Sequence, residues 1–330
     1  MNFRIYVFIL AFLLVVCVSC GTPAQSDAEA TPTTETKITL PAFEADSAYQ
    51  FAARQLAFGP RVPGTKAHQQ CATYLEQTIS AYADKVEVQA FSTRVWNGEM
   101  KSGKNIIASF FPENRTRILL AAHWDSRPTA DHDPDERNWH KPVPGANDGA
   151  SGVAVLLEIA RQFSIQKPDI GVDIIFFDLE DYGTPEFATD ANPDTWCLGT
   201  QHWAENPHKI GYKAYYGILL DMVGCGNPRF TKEGTSMYYA SDIVSKVWTT
   251  AQTLGFGSAF VNDQTNAIVD DHLYVNQLTG IPMIDIIQYD HSTGTGFYPY
   301  WHTVQDDLSK IDKRTMQIVG QTVLAQIYQE

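Results

Sequence analysis

Histidine and carboxylate side chains stand where three apolar segments of the chain end. The segment "ILLAA" is followed by His123 and Asp125, "IIFFDL" by Glu180 and Asp181, and "GILL" by Asp221. Like charges as close as those of Glu180 and Asp181 destabilise one another unless a positive group lies between them. Histidine nitrogens and carboxylate oxygens are ligands of divalent metals of the zinc type. The pattern therefore predicts a metal centre, because a dication among the carboxylates removes their repulsion.

Two further candidate ligands lie outside these segments. Asp148 stands in the Gly-rich stretch "GANDGASG", and His302 stands in "YWHTVQDD". Taken singly, an aspartate in such a loop is more often a turn residue than a ligand, so the interpretation depends on the co-occurrence of candidates at the ends of different elements. Asp178 is predicted to make a structural hydrogen bond instead. Three other histidines lie in polar segments and are predicted to be solvated: His132, His140 and His208.

A scaffold must bring these separate strand ends together. Strand patterns occur at residues 85–91, 105–110, 117–123, 172–179, 215–223 and 281–289. Helical patterns, with Thr65 and Ser241 as N-caps of the second and fifth, occur at 43–58, 65–82, 152–163, 199–205, 241–255 and from Lys313 to the end. Apolar strands alternating with amphipathic helices predict a single α/β domain with a mostly parallel mixed sheet and helices on both faces. In such folds, ligands bind beyond the carboxyl ends of the strands.

Composition excludes several classes of protein. The 330 residues are 44% apolar, enough for a large core, and the formal net charge is −14. With no long basic run, neither nucleic acid nor an anionic membrane surface is expected as a partner. Neither G-x-x-x-x-G-K-[ST] nor G-x-G-x-x-G stands between a strand and a helix. "GASGV" around Ser151 lacks the G-x-S-x-G spacing of serine hydrolases.

The first twenty residues have the pattern of an export signal. Arg4 precedes an apolar run that ends in Val18, Ser19 and Cys20. A small residue before cysteine at this place resembles a bacterial lipoprotein signal, with an ordinary cleaved signal peptide as the alternative. We expect a signal over 1–20, a flexible tether over 21–42 and a catalytic domain over 43–330. The protein is then exported, periplasmic and lipid-anchored to the outer membrane at Cys20. One disulfide is open to the remaining cysteines, Cys71, Cys197 and Cys225.

The ordered candidates carry a family resemblance. The set from His123 to His302 resembles the M28 zinc exopeptidases, in which paired carboxylates supply first a general base and then a metal ligand. Several blocks resemble more closely the glutaminyl cyclases, which share that fold: "FGPRVPGT", "LLAAHWDSRP", "LLDMVGCGNPRF", "VDDHLYVNQLTGIP" and "YWHTVQDD". The likeness extends over roughly residues 45–330 as a series of blocks.

The cyclase resemblance implies a reaction and a set of roles. N-terminal glutaminyl residues of peptides and proteins would be converted to pyroglutamate with release of ammonia. One zinc ion would be bound by Asp148, Asp181 and His302. Glu180 would be the general acid and base. The remaining roles would fall to Asp221 and Asp270 in an acidic hydrogen-bond network and to Trp301 in packing on the substrate.

The resemblance also leaves alternatives. The carboxylate pair of the family is usually Glu–Glu, so it is open which of Glu180 and Asp181 binds the metal, and Asp271 competes with Asp270 for the network role. A histidine of the animal cyclases is replaced by Asp285. As an M28 aminopeptidase the chain would bind two zinc ions bridged by Asp148, with His123 as an additional ligand. A peptide- or carbohydrate-binding lipoprotein with a decayed site is the reading least consistent with the intact ligand set.

Overall fold

The computed structural model describes residues 40–189 and 193–330. The predicted signal 1–20 with Cys20 and the tether up to residue 39 lie outside the described residues, so export and lipid attachment stay predictions. None of the helices in the described ranges has the combined length and hydropathy that crossing a bilayer requires.

A mixed sheet of six strands forms the centre of the domain. The strands of the described residues are β1 (Lys85–Arg94), β2 (Met100–Phe110), β3 (Arg117–His123), β4 (Gly171–Phe177), β5 (Tyr216–Asp221), β6 (Phe230–Lys232), β7 (Phe260–Gln264) and β8 (Met283–Ile287). The sheet order is β1-β2-β4-β3-β5-β8, and β6 pairs with β7 separately. Strands β4, β3, β5 and β8 run parallel to one another. Strand β2 is antiparallel to both of its neighbours, β1 and β4. Every residue of the four parallel strands is buried, as their continuous apolar sequences predict.

Helices cover both faces of this sheet. They are α1 (Ala45–Leu56), α2 (Lys66–Ser80), α3 (Ala150–Ile165), α4 (Leu198–Glu205), α5 (Gly234–Thr253), α6 (Asp271–Tyr274) and α7 (Lys313–Tyr328), with a π-helical turn at Val275–Thr279. Alternate strand residues point to opposite faces. Ile174 and Phe176 of β4 accordingly join the core shared with α1, α2, α3, α5 and α7, while Ile175 and Phe177 face α4 and the π-helical turn. The predicted fold class is confirmed.

The structure tests two predicted helix starts, at Thr65 and at Ser241. Thr65 does cap α2, accepting a hydrogen bond from the backbone N–H of His68. The fifth predicted helix, which starts at Ser241, is the second part of a longer element. Helix α5 begins at Gly234, where the buried Glu233 carboxylate accepts the N–H groups of Thr235 and Ser236. Ala240 then has non-helical φ and ψ, so α5 consists of two helices joined at a kink. The second helix starts directly after Ala240, at the predicted boundary, and the non-helical residue at its start is Ala240 rather than Ser241.

Strand β4 ends at Phe177, two residues before the predicted boundary, and Asp178 then turns into the interior. Its carboxylate lies 2.9 Å from Nε2 of His68 and accepts hydrogen bonds from the N–H groups of Lys104 and Leu179 at 2.6 and 2.8 Å. A fully buried carboxylate needs such partners. Asp178 therefore ties α2, β2 and the end of β4 together, in agreement with the structural hydrogen bond predicted for it.

A buried ion pair closes the opposite, amino end of the parallel strands. Nε and Nη2 of Arg117 donate to the two carboxylate oxygens of Asp173 at 2.6 and 2.8 Å. Burial alone would raise the pKa of Asp173, but the hydrogen bonds from Arg117 outweigh it and hold this pKa below its ordinary value. The pair joins the first residue of β3 to β4, far along the strands from their carboxyl ends.

We expect Asp173→Asn to lower the free energy of unfolding by about 3–5 kcal/mol, because the guanidinium of Arg117 would remain buried without a counter-charge. Urea denaturation measures the loss. Because the folded pKa of Asp173 lies below its unfolded value of about 3.9, the contribution is complete above that pH and is lost as the pH falls through the folded pKa. The variant should lack this component of acid sensitivity. A loss below about 1 kcal/mol would contradict the assigned pairing.

Candidate metal centre and active site

The predicted site residues converge at the carboxyl ends of the parallel strands. His123 is the last residue of β3, Asp221 is the last residue of β5, and Glu180 and Asp181 follow β4. Asp148 comes from the loop before α3, and the loop between β8 and α7 adds His302. All six of these residues are buried.

Asp148, Asp181 and His302 form one group of potential metal ligands. Their ligand atoms all lie within 4.8 Å of one another. Nε2 of His302 is 3.2 Å from Oδ1 of Asp181 and 3.6 Å from Oδ2 of Asp148. Oδ2 of Asp148 and Oδ2 of Asp181 are both buried without a hydrogen-bond partner. Buried oxygens of this kind require a positive partner, so the donor set fits a cation.

The protonation of His302 agrees with a role as ligand. Burial lowers the pKa of His302 well below its ordinary value, and the positive charge of Arg127 lowers it further. The imidazole is therefore neutral, which is the form that binds zinc. The predicted ligand set Asp148, Asp181 and His302 is brought together as a group.

His123, Asp148 and Asp221 form a second group within the same distance. Nε2 of His123 lies 3.1 Å from Oδ1 of Asp148 and 3.2 Å from Oδ1 of Asp221. Burial alone would lower the pKa of His123, but the carboxylates around it, Asp125 among them, raise it well above its ordinary value. Asp148 belongs to both groups, so it is the side chain that would bridge two metals if both groups were filled.

The loop that carries Asp148 is held by Asp306. The carboxylate of Asp306 accepts the backbone N–H groups of Asn147 and Asp148 at 2.9 and 3.1 Å. Gly149 follows with φ +99°, and a Cβ there would lie 2.3 Å from the carbonyl oxygen of Asp125. Glycine is therefore required at this position. Since Asp306 lies four residues after His302, it links two of the three ligands of the first group.

Glu180 faces a different part of the same site. Burial raises the pKa of Glu180 well above its ordinary value, and nearby Asp181 and Asp270 raise it further against the opposing effect of His123. The thiol of Cys197 donates a hydrogen bond to Oε1 of Glu180 at 3.3 Å. A carboxyl group in such an environment is suited to accept and return a proton.

Asp125 fixes the backbone of the carboxylate pair. Its two carboxylate oxygens accept the N–H groups of Glu180 and Asp181, each at 3.2 Å. Two adjacent residues of a strand would point in opposite directions, but here the chain has left the strand. Leu179 has φ +58° and turns the backbone just before the pair. Glu180 and Asp181 consequently reach the same cavity.

Left-handed backbone recurs throughout the site. Leu179 precedes Glu180, and Met222 follows Asp221. Cys197 donates a hydrogen bond to Glu180, and His302 belongs to the first ligand group. Their φ angles are +58° for Leu179, +54° for Cys197, +48° for Met222 and +53° for His302. Non-glycine residues in this conformation cost about 1–2 kcal/mol each, and such strain clusters at functional sites.

The acidic network beside Glu180 contains Asp270. Asp270 lines the cavity, and a carboxylate oxygen of Asp270 lies within 4.8 Å of ligand atoms of Glu180 and Cys197. Asp271 is fully buried behind it and accepts a hydrogen bond from the hydroxyl of Thr200 at 2.6 Å. Of the two candidates, Asp270 is the one that lines the cavity. Asp285 lies deeper, where burial raises its pKa well above the ordinary value.

The substrate cavity has a volume of about 420 Å³. One end is acidic, and the walls are aromatic and aliphatic. Trp301 lines this cavity and stacks on His302 with ring centroids 3.7 Å apart, and its packing on a substrate stays a prediction. Trp196 lines the other side with its ring within 5° of parallel to that of His302. Both tryptophans can pack against a ligand while the acidic end holds its polar atoms.

Several residues that line or border the site were not predicted from the sequence. Trp196 and Cys197 follow an ordinary polar stretch, and no spacing marks them. His132, predicted to be solvated, is half-buried against Trp301 at 4.3 Å between ring centroids. His208 is also half-buried and accepts a hydrogen bond from Nε1 of Trp203, whereas His140 is exposed as predicted. The three described cysteines, Cys71, Cys197 and Cys225, are free thiols.

Comparison with known proteins identifies the family of this chain. The residue pattern of Peptidase family M28 matches residues 105–327. The chain belongs to Peptidase family M28. Among solved structures, glutaminyl cyclase of Tannerella forsythia is 56% identical, with a TM-score of 0.86, over 88% of this chain and 100% of that one. A zinc-dependent exopeptidase from Parabacteroides distasonis is 53% identical, with a TM-score of 0.87, over the same shares of the two chains.

Curated relatives are more distant and of both kinds. Glutaminyl-peptide cyclotransferase of Gloydius blomhoffii is 25% identical over 78% of this chain and 73% of its own length. Aminopeptidase YwaD of Bacillus subtilis is 27% identical over 69% of this chain, and the match spans only 45% of that protein's length. The metal that the M28 family and the donor set together imply is zinc.

We expect Asp148→Asn to abolish zinc binding, because Asp148 supplies an oxygen to both ligand groups. Metal analysis of the purified, folded variant by inductively coupled plasma mass spectrometry measures the effect. The matched control is Asp173→Asn, which removes an equally buried carboxylate at the other end of the strands and should retain zinc. Full zinc occupancy in the Asp148 variant would show that neither group is the metal centre.

Proposed function

We infer that this protein is a zinc-dependent glutaminyl-peptide cyclotransferase. It converts the N-terminal glutaminyl residue of peptides and proteins to pyroglutamate and releases ammonia. The observation that carries this inference is the 56% identity to the Tannerella forsythia cyclase across that entire chain, with the same fold. An M28 aminopeptidase is the alternative, favoured by the exopeptidase likeness and by the second ligand group.

Asp148, Asp181 and His302 would hold the zinc ion. When bound, zinc supplies a Lewis acid that polarises the γ-carbonyl of the glutamine and stabilises negative charge on its oxygen. The substrate supplies its own nucleophile, since the α-amine and the γ-carbonyl belong to one residue, and intramolecular reactions of this kind gain greatly from proximity. The cavity residues need only hold the side chain folded back toward the amine.

Glu180 moves the proton. The bond between the α-nitrogen and the δ-carbon forms while the bond from that carbon to the amide nitrogen breaks. Glu180 accepts a proton from the α-amine and donates it to the departing nitrogen, so ammonia leaves and Glu180 returns to its starting state. The raised pKa of Glu180 and its location in the cavity suit both transfers.

Asp221 and Asp270 complete the acidic end of the cavity. Burial raises the pKa of Asp221 to about 7, and burial likewise raises the pKa of Asp270. Carboxyl groups in this state can share protons with one another and accept hydrogen bonds from the substrate's amine. Trp301 would cover the substrate's aliphatic carbons and exclude water, which favours ring closure over hydrolysis.

A single zinc per chain is our proposal for the metal content. Nε2 of His123 is within hydrogen-bonding distance of Asp221, so the side chain can serve as a partner to the carboxylates rather than as a ligand. The cyclisation requires no metal-activated water, and one ion is sufficient. The aminopeptidase alternative requires two ions, because hydrolysis needs an activated water between them.

We expect Glu180→Gln to abolish turnover while zinc remains bound, because the amide can neither accept nor return the proton. Mass loss and ammonia release from a Gln-initiated peptide measure turnover in the wild type and the variant. Glu158→Gln changes a buried glutamate on α3 away from the site and should retain activity per folded molecule. Loss of zinc in the Glu180 variant would mean that Glu180 and Asp181 have exchanged roles. Wild-type release of free N-terminal amino acids without ammonia would refute the cyclase assignment.

We expect metal analysis to find one zinc per wild-type chain. His123→Ala should keep that zinc, since the ion is held by the other group, and should reduce cyclase activity only through the altered Asp221. A wild-type content of two zinc ions, falling to one in His123→Ala, would instead favour the aminopeptidase.

A further inference from the structure

The short side chain of Asp181 limits how far its carboxylate can extend from the backbone toward a metal. The family resemblance places a glutamate at this ligand position, and an aspartate is one methylene shorter. A shorter side chain leaves fewer torsions with which to adjust, so the backbone of Asp181 must itself be held at a fixed distance from the metal. Asp125 holds the N–H of this residue. Its carbonyl and carboxylate need a further partner.

Arg127 provides that partner. Its side chain is 1% exposed, and Nη1 donates to both the carbonyl oxygen of Asp181 at 3.2 Å and Oδ1 of Asp181 at 3.3 Å. The guanidinium therefore hydrogen-bonds to both the main chain and the side chain of Asp181. A contact to the carboxylate alone would leave the backbone free to shift, whereas this one fixes both.

The other edge of the guanidinium is anchored by Asp131. Nε and Nη2 of Arg127 donate to the two oxygens of Asp131 at 2.6 and 2.7 Å. Asp131 also accepts the N–H of Glu186 at 2.9 Å, and its Oδ1 is 3.7 Å from Nδ1 of His302. One planar group thus spans from the ligand Asp181 to a carboxylate that faces the ligand His302.

The flat face of Arg127 packs on the substrate cavity's wall. Cζ of Arg127 lies 4.6 Å from the ring centroid of Trp196, whose ring is nearly parallel to that of His302. Stacking of a guanidinium on an indole restrains the indole's orientation. Removal of Arg127 would release the aromatic wall at the same time as the metal ligand.

We propose that Arg127 is a positioning residue that fixes the aspartate ligand Asp181 at the zinc site and orients Trp196 against the substrate. The proposal rests on the metal centre of the proposed function, but not on whether cyclisation or hydrolysis is the reaction. Lysine cannot replace arginine here, because an ammonium group has neither the planar fork nor the stacking face. Outer partners of metal ligands typically change metal affinity 10- to 100-fold.

Arg127→Lys in the full chain tests this assignment. We expect the zinc dissociation constant, measured by competition with a chromogenic chelator, to rise 10- to 100-fold. With zinc in excess, we expect KM for a Gln-initiated peptide to remain raised, because Trp196 is no longer held, while kcat recovers with zinc loading. Zinc affinity is read without any substrate, so the result stands even if the peptide proves to be hydrolysed rather than cyclised.

The matched control is Arg117→Lys, which disrupts the equivalent buried arginine–aspartate fork at the far end of the strands. It should lower stability and leave zinc affinity unchanged. Should Arg127→Lys not fold, Asp131→Asn loosens the same fork while keeping its shape, and it should weaken zinc binding in the same direction. Wild-type zinc affinity in the folded Arg127 or Asp131 variant, or an equal loss in Arg117→Lys, would overturn the proposal.

Discussion

Mutual repulsion of buried carboxylates is the constraint on which the site depends. Buried acids crowd one region at and near the carboxyl ends of the parallel strands, among them Asp148, Glu180, Asp181, Asp221, Asp270 and Asp285. Burial and neighbours of the same sign both disfavour the charged form of a carboxyl group. A folded chain can accept this arrangement only with compensating positive charge. The cation that the ligand group fits, the side chains of Arg127 and His123, and protons retained on the acids are the available sources.

These sources of positive charge divide the acids into functional classes. Asp181 faces a cation site and an arginine, which is the environment of a ligand. Glu180 has no permanent counter-ion within hydrogen-bonding distance, and a thiol is its donor. Burial raises the pKa of Glu180 well above its ordinary value, which suits a group that exchanges protons. Two adjacent carboxyl groups therefore differ in their partners: Asp181 contacts Arg127, and Glu180 contacts the thiol of Cys197.

Local patterns predicted most of the elements and the residues that the fold gathers into the candidate ligand groups. The remaining features of the site depend on contacts between residues far apart in the sequence. Strands such as β4 are recognisable because burial on both faces demands continuous apolar residues, and the polar residues beyond them follow from the parallel topology. The contact of Arg127 with Asp181 joins residues 54 positions apart, and no periodicity encodes it. Glu233 was missed as the cap of α5 because Gly234 resembles a loop residue until the buried carboxylate is placed. Asp270 and Asp271 were indistinguishable for the same reason, since only the fold decides which one faces the cavity.

The left-handed residues of the site have a consequence for how the protein can change. Leu179, Cys197, Met222 and His302 hold their backbone in a conformation that glycine would adopt without strain. Substitution by glycine would relieve the steric strain, but it would also make the backbone beside the neighbouring acid more flexible. Stability and catalytic precision are thus opposed at these positions, as is common where function requires strain. Engineering for heat resistance would do better to begin at the amino ends of the strands, where no such conflict exists.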